Sequence, residues 1–125
     1  MRSDDLKSYE FFREFQQYYK ELGAKSLLFE PHYKYTTCAE CTSFDKDVEG
    51  CILKGKYCGA LNNELKITNA TQVVTENVRQ KCIWYLNKEK NPLFYWNYMI
   101  NYADLCMSPL EPNFSDTCSK KVIHK

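Results

Sequence analysis

The spacing of apolar residues predicts a helix at the start of the chain. Over residues 4–22, "DDLKSYEFFREFQQYYKEL", apolar side chains recur every three or four positions, which places them on one helix face. Ser3 is expected to cap this helix and Gly23 to end it, because Ser favours the N-cap and Gly the position just after the last turn. The residues predicted to face the core are Phe11, Phe15, Tyr18 and Leu22.

The next segment has the pattern of a strand followed by another helix. Residues 26–35, "SLLFEPHYKY", contain a short apolar run that predicts a buried strand, and Pro31 ends it or places it at an edge. From Cys41 to Cys51 the apolar residues return to helical spacing. The stretch "KGKYCGALNN" at 54–63 predicts a turn and a loop.

Three further helices are predicted in the second half of the chain. They cover residues 71–88, 91–106 and 115–125, with Thr71 or Thr68, Asn91 and Ser115 as their caps. Pro92 suits the first position of the second of these helices. The core-facing positions are predicted to be Val74, Val78, Cys82 and Tyr85, then Tyr95, Tyr98, Met99, Tyr102 and Cys106, then Cys118 and Val122. Because a single strand cannot form a sheet, the segment is nearly all-α unless partner strands lie beyond Lys125.

Cysteine content and charge narrow the class of protein. Seven cysteines in 125 residues, together with two N-glycosylation sequons at Asn69 and Asn113, indicate an oxidising lumenal or extracellular compartment. Since seven is odd, one thiol is free or pairs outside this segment. The near-balanced charge, with 17 basic and 16 acidic residues and no basic cluster, argues against nucleic acid and anionic membrane as partners. The N-terminus does not resemble a signal peptide, so if the protein is secreted or membrane-bound, its leader and anchor are expected outside this segment.

The Cys38-x-x-Cys41 motif has three interpretations. As a redox pair, Cys38 would attack a substrate disulfide and Cys41 would resolve the mixed disulfide, and the position after a predicted strand favours this. As a structural pair, each cysteine would form a bridge with no catalytic role. As half of a zinc site, the motif would act with Cys51 and Cys58, although that looser spacing is less typical of zinc clips. No metal or other cofactor is predicted.

The remaining cysteines and one aromatic cluster are candidates for structural and binding roles. Cys51 and Cys58 are expected to close the turn around Gly55 or to fix this loop to a helix, whereas Cys82, Cys106 and Cys118 are expected to tie helices together. The connectivity stays open. In "FYWNYMINY" (94–102), aromatic residues exceed what one helix face can bury, and Phe94 and Tyr98 are candidates for partner contact or for packing on strands outside this segment.

An ordered set of short motifs resembles one known family. The motifs are "FEPHY" (29–33) with a cysteine five residues later, "CILKGKYC" (51–58), "VVTENVRQKC" (73–82), "PLFYWNYMINYADLC" (92–106) and "FSDTCSKKVI" (114–123). In their order, spacing and cysteine positions they resemble the lumenal thioredoxin-like region of plant-type vacuolar sorting receptors. The family keeps a cysteine at the place of Cys38 but has its next one nearer Cys51, so Cys41 departs from the pattern.

The resemblance implies a fold and a function. The fold would be an α/β thioredoxin-like fragment dominated by a disulfide-stapled helical insertion, with residues 1–125 a single domain that belongs to a larger thioredoxin-like lumenal domain. The function would be that of a non-catalytic module of a sorting receptor, in the lumen of Golgi, prevacuolar or vacuolar compartments. Its partners would be soluble cargo proteins or neighbouring lumenal domains of the same receptor, without direct membrane contact. The alternative is a thiol-disulfide oxidoreductase of the secretory pathway that uses Cys38 and Cys41.

Overall fold

Helix α3 (Pro92–Cys106) lies at the centre of a helical bundle and packs against the three other described helices. The computed structural model describes residues 1–40, 50–59, 69–108 and 112–125. Within them, the other helices are α1 (Leu6–Ser26), α2 (Ala70–Asn87) and α4 (Asp116–Ile123). Two short strands, β1 (Cys51–Ile52) and β2 (Tyr57–Cys58), form an antiparallel hairpin that packs on α2. The described part of the chain is therefore mostly helical, as the sequence predicted.

Helices α3 and α4 begin where the sequence predicted, whereas α1 and α2 are capped by other residues. The side chain of Ser115 accepts a hydrogen bond from the Cys118 amide and caps α4. Asp5, rather than Ser3, caps α1. Asn69, rather than Thr71 or Thr68, caps α2 through its side-chain oxygen. The Asp and Asn oxygens accept bonds from first-turn amides that would otherwise lack a partner.

Gly23 interrupts α1 but, contrary to the sequence prediction, does not end it, because the helix continues beyond this residue. Its φ of 74° lies in the left-handed region that favours glycine, while α1 resumes up to Ser26. Ser3 does not cap α1 and instead forms tertiary hydrogen bonds. Its amide donates to Asn77 Oδ1 at 2.6 Å and its hydroxyl donates to the Val73 carbonyl at 2.8 Å, which attaches the N-terminus to α2.

The face of α1 that packs on the bundle is not the predicted one. Its buried residues are Tyr9, Phe12 and Tyr19. Phe12 and Tyr19 lie against Trp96 of α3, with ring centroids 5.0 and 4.6 Å away. The predicted stripe is rotated away from the core, because aromatic residues occupy two adjacent faces of this helix and only the packing partner distinguishes them. Its members Phe11, Tyr18 and Leu22 are 45%, 51% and 50% exposed.

The buried face of α2 also differs from the prediction. Val74 is buried as expected, but Cys82 and Tyr85 are exposed. The core face instead carries Glu76, Asn77 and Gln80, all fully buried, beside Val73, Ile83 and Trp84. A hydrophobic stripe could not reveal this face because half of it is polar.

Residues 26–35 do not form the predicted strand. Beyond the end of α1 at Ser26, they follow an irregular path whose side chains anchor on the helices. The ring of Phe29 lies 5.2 Å from Trp84 and 4.8 Å from Trp96. The predicted helix that starts at Cys41 lies largely outside the described residues, and its last member, Cys51, is in β1. No helix within the described ranges combines the length and apolar character that crossing a bilayer requires.

Candidate functional site

The centre of the bundle contains a carboxylate that four side chains hold in place. Glu76 of α2 is fully buried. Its Oε1 accepts hydrogen bonds from Tyr98 at 2.7 Å and from Gln80 Nε2 at 3.1 Å. Its Oε2 accepts from Ser119 at 2.8 Å and forms an ion pair with Arg79. One carboxylate thus joins α2, α3 and α4.

The polar network continues from Gln80 to the first helix and to the segment that follows it. Gln80 Nε2 also donates to the Tyr9 hydroxyl at 3.0 Å, and Gln80 Oε1 accepts from Tyr33 at 2.9 Å. The Tyr33 and Tyr95 hydroxyls lie 2.7 Å apart. Helices α1, α2, α3 and α4 therefore each contribute a side chain to this network.

Burial shifts the titration of these groups. Desolvation raises the pKa of Glu76, partly opposed by the charge of Arg79 and by the hydrogen bonds it accepts. Desolvation likewise raises the pKa of Tyr9 and Tyr98, and the Glu76 carboxylate raises both further. The tyrosines consequently stay protonated and can donate. Because Glu76 and Gln80 have no exposed surface, these groups serve to fix the helices rather than to meet a substrate.

The surroundings of Cys38 are formed by the tip of the hairpin. The Cys38 amide donates to the Gly55 carbonyl at 2.8 Å, and a cavity of about 410 Å³ beside it is lined by residues that include Lys54 and Lys56. Cys38 is disulfide-bonded, whereas Cys41 lies outside the described residues. At the hairpin tip, Leu53 and Lys54 have φ values of 50° and 54°, in the region that non-glycine residues seldom adopt.

Two disulfides close loops within the described residues. Cys51 and Cys58 face each other across the hairpin and are bonded, so this pair closes the turn around Gly55. A zinc site built with their thiolates is therefore wrong, because neither sulfur is free to bind a metal. Cys106 at the end of α3 is bonded to Cys118 in α4.

Cys82 does not tie helices together as predicted. It lies on the exposed side of α2 and its thiol is free. The error follows from the misplaced hydrophobic stripe, because the polar buried face of α2 turns position 82 outward.

The two residues predicted for partner contact lie at the interface of α3 and α4. Tyr98 is only 2% exposed and its hydroxyl is bound to Glu76, so most of this side chain lies in the core, and its edge lines a groove beside Phe94. Phe94 is half-buried and lines a groove of about 220 Å³ with Ile123 and Asn101. The sequence also placed Tyr98 among the core-facing positions of this helix, and its burial is confirmed.

A surface that the sequence assigned to the core is instead open. We call Phe11, Phe15, Tyr18 and Leu22 the α1 aromatic face. The rings of Phe11 and Phe15 stack at 5.2 Å, and Phe15 lies 5.7 Å from Tyr18. Phe11 and Phe15 both rest against Trp96, with centroids 6.2 Å away. Contact with Trp96 thus fixes Phe11 and Phe15 against the core, while Tyr18 and Leu22 extend into solvent.

Comparison with known proteins shows the family. The sequence profile described as "Vacuolar sorting receptor thioredoxin-like domain" matches residues 3–125.

The chain belongs to this vacuolar sorting receptor family.

Vacuolar-sorting receptor 5 of Arabidopsis thaliana is 33% identical over 101 residues, which cover 77% of this chain and 16% of the receptor. Vacuolar-sorting receptor 6 of the same plant is 32% identical over 108 residues, covering 82% and 17%. Vacuolar-sorting receptor 1 of Pisum sativum is 27% identical over 125 residues, covering 91% and 19%. The chain thus spans less than a fifth of the length of these relatives.

Proposed function

We propose that this chain is a non-catalytic lumenal module of a vacuolar or lysosomal sorting receptor and that it contributes to the recognition of soluble cargo proteins. The observation that carries the proposal is an open aromatic face on a domain whose relatives are sorting receptors. Residues 1–125 would form one domain within a larger thioredoxin-like lumenal domain. It would act in Golgi, prevacuolar or vacuolar compartments.

The α1 aromatic face has the features of a protein-binding surface. Tyrosine and other large side chains supply most of the binding energy at protein interfaces, and their truncation typically costs more than about 1 kcal/mol at the centre. Here Tyr18 and Leu22 are about half exposed, while the charged Glu14 and Glu21, four residues before and three residues after Tyr18, are exposed beside them on the same helix. An apolar centre with a polar rim is the usual arrangement of such an interface.

The buried polar groups support a recognition role over a catalytic one. The titratable group with the most hydrogen-bond partners, Glu76, is sealed inside the bundle and fully engaged. A general acid or base has to reach the proton that it transfers. The groups on the α1 aromatic face are apolar and suit contact rather than chemistry.

Photo-cross-linking tests this assignment directly. A benzophenone amino acid at position 18 of the full-length protein, activated in cells that produce it, is expected to cross-link soluble vacuolar or lysosomal proteins. The same group at position 86, where Leu86 is 82% exposed on α2, is the matched control. Cross-links from position 18 that reach only other parts of the receptor would contradict cargo contact and make this face an interdomain surface.

The alternative of a thiol-disulfide oxidoreductase has one observation in its favour. Lys54 and Lys56 line the cavity beside Cys38, and nearby cations stabilise the thiolate that reduction would release. Such an enzyme would show one rapidly alkylated thiol at Cys38 after mild reduction and would reduce insulin. A recognition module would do neither, and its bridges would be lost slowly and together.

A further inference from the structure

The two N-glycosylation sequons lie beside one cavity on the surface of the bundle. Asn69-Ala70-Thr71 begins α2, and Asn113-Phe114-Ser115 immediately precedes α4. A cavity of about 380 Å³ between these helix starts is lined by Thr71, Gln72 and Thr75 from one side and by Phe114 and Asp116 from the other. Sites that are 44 positions apart in the sequence thus open on the same face.

We propose that Asn69 and Asn113 both carry N-linked glycans and that the two glycans cover this single face. We call it the glycan face, and none of the residues that line its cavity belongs to α1. The glycans would therefore leave the α1 aromatic face open. This inference rests on the lumenal location in the proposed function, because the transferase acts in that compartment.

The local geometry of both asparagines tolerates the modification. Both residues are exposed. Asn69 uses its Oδ1 to accept from the Gln72 amide at 3.1 Å, and Asn113 uses its Oδ1 to accept from the Ser115 amide at 3.0 Å. A glycan attaches to Nδ2 and leaves the amide oxygen in place. The Asn69 cap of α2 and the bond from the Ser115 amide to Asn113 just before α4 consequently survive glycosylation.

The chemistry requires an oligosaccharide donor linked to a polyprenyl diphosphate. The bond between the anomeric carbon and the diphosphate oxygen breaks, and the diphosphate leaves with the electron pair. A new bond joins the anomeric carbon to Nδ2, which loses one proton. No oxidation or reduction is involved.

The folded structure also indicates when the sugars are added. The Thr71 hydroxyl accepts from the Gly50 amide at 2.8 Å, and the Ser115 hydroxyl accepts from the Cys118 amide at 3.2 Å. These are the hydroxyls that define the two sequons, and in the folded domain both are engaged. Glycosylation is therefore expected before the hairpin and α4 have docked.

Occupancy of the two sites is measured by intact mass before and after peptide-N-glycosidase treatment. The full chain is secreted from eukaryotic cells behind a host leader, so that it enters the lumen whatever its native role. The wild type is expected to lose two glycans, Asn69→Gln and Asn113→Gln one each, and the double variant none. Thr71→Ser and Ser115→Thr, which keep the sequons, and Asn91→Gln, at an exposed asparagine outside a sequon, should retain both glycans.

A chain that carries fewer than two glycans would overturn the inference that Asn69 and Asn113 are both glycosylated. It would not contradict the proposed role of the chain in sorting. Conversely, loss of the sorting role would leave a doubly glycosylated chain unaffected in this assay. The two hypotheses therefore fail separately.

Shielding of the glycan face is tested with an added thiol. Gln72→Cys places a thiol at this cavity, and the native free thiol of exposed Cys82 serves as the internal control. A bulky polyethylene-glycol maleimide is expected to react several-fold more slowly at position 72 in the glycosylated protein than after enzymatic removal of the sugars, with no change at Cys82. Equal rates at position 72 in the two forms would overturn the single-face arrangement.

Discussion

The Tyr98 hydroxyl donates a 2.7 Å hydrogen bond to Glu76 Oε1 in the interior of the bundle, where both side chains are almost fully buried. This bond joins α3 to α2, and the other oxygen of the same carboxylate holds Ser119 of α4. The three helices are therefore positioned by one charged group rather than by apolar packing alone.

Removal of this carboxylate should destabilise the fold. Glu76→Ala leaves Tyr98 and Ser119 without their acceptor and breaks the ion pair with Arg79, so we expect the free energy of unfolding to fall by about 3 kcal/mol. Glu76→Gln keeps an acceptor oxygen and should cost about 1 kcal/mol. Urea denaturation measures both values. The exposed-site control Leu86→Ala should stay within about 0.5 kcal/mol of wild type, and a similarly small effect of Glu76→Ala would contradict the role of the network.

The stability of the protein should depend on pH through Glu76. Burial raises the pKa of Glu76 in the folded chain above its unfolded value, so as the pH falls the folded state takes up this proton before the unfolded state does. The stabilisation that protonated Glu76 gives is fully present below the pKa that this group has in the unfolded chain. It is lost as the pH rises through the pKa that Glu76 has in the folded chain. The difference in free energy of unfolding between wild type and Glu76→Gln should therefore shift in favour of wild type from about pH 8 to about pH 5.

The comparison of wild type with Glu76→Gln is needed because other groups change the free energy of unfolding in the opposite direction as the pH falls. Hydrogen bonds from Lys81 and Trp84 lower the pKa of Glu30, so its contribution is lost as the pH falls. It is common to wild type and Glu76→Gln and cancels in the difference. A difference that is independent of pH would show that Glu76 titrates in the folded chain as it does in the unfolded one.

The Cys106–Cys118 disulfide should stabilise the attachment of α4. The bond spans 12 residues, for which restriction of the unfolded chain predicts about 3 kcal/mol. The Cys106→Ala/Cys118→Ala variant should unfold at lower denaturant concentration, and hydrogen exchange should show the loss of protection in α4 first. Cys51→Ala/Cys58→Ala, which opens a span of 7 residues, should cost about 2 kcal/mol and leave α4 protected. Equal exchange in α4 of both variants would contradict this assignment.

The sequence predicted the elements whose local signals agree with their packing. In α3, Pro92 marks the start, and in α4, Ser115 caps the helix while Cys118 and Val122 repeat on the buried side. The family followed from the order of several motifs with shared cysteine positions, since one short motif alone would not identify it.

The remaining features depend on contacts between residues distant in sequence. Phe11 and Phe12 both lie against Trp96. Phe12 also meets Phe29 and Tyr95, and these contacts decide which side of α1 is buried. The side chains of Glu76 and Gln80 are tolerated inside because Tyr98 and Tyr33 meet them, which apolar periodicity does not record. The polar network and the α1 aromatic face were missed for the same reason.

The proposed role of the α1 aromatic face is the sorting of soluble cargo. The most direct test of this role is complementation of cells in which the gene has been deleted. Cells that lack the gene receive the full-length wild type, Tyr18→Ser/Leu22→Ser, or the control Leu28→Ser/Leu86→Ser, whose side chains are 98% and 82% exposed elsewhere. The secreted fraction of soluble vacuolar or lysosomal proteins is measured at equal receptor abundance. We expect the Tyr18/Leu22 variant to secrete these proteins as the deletion does while the control retains them; normal retention by the Tyr18/Leu22 variant would contradict a role of the α1 aromatic face in sorting.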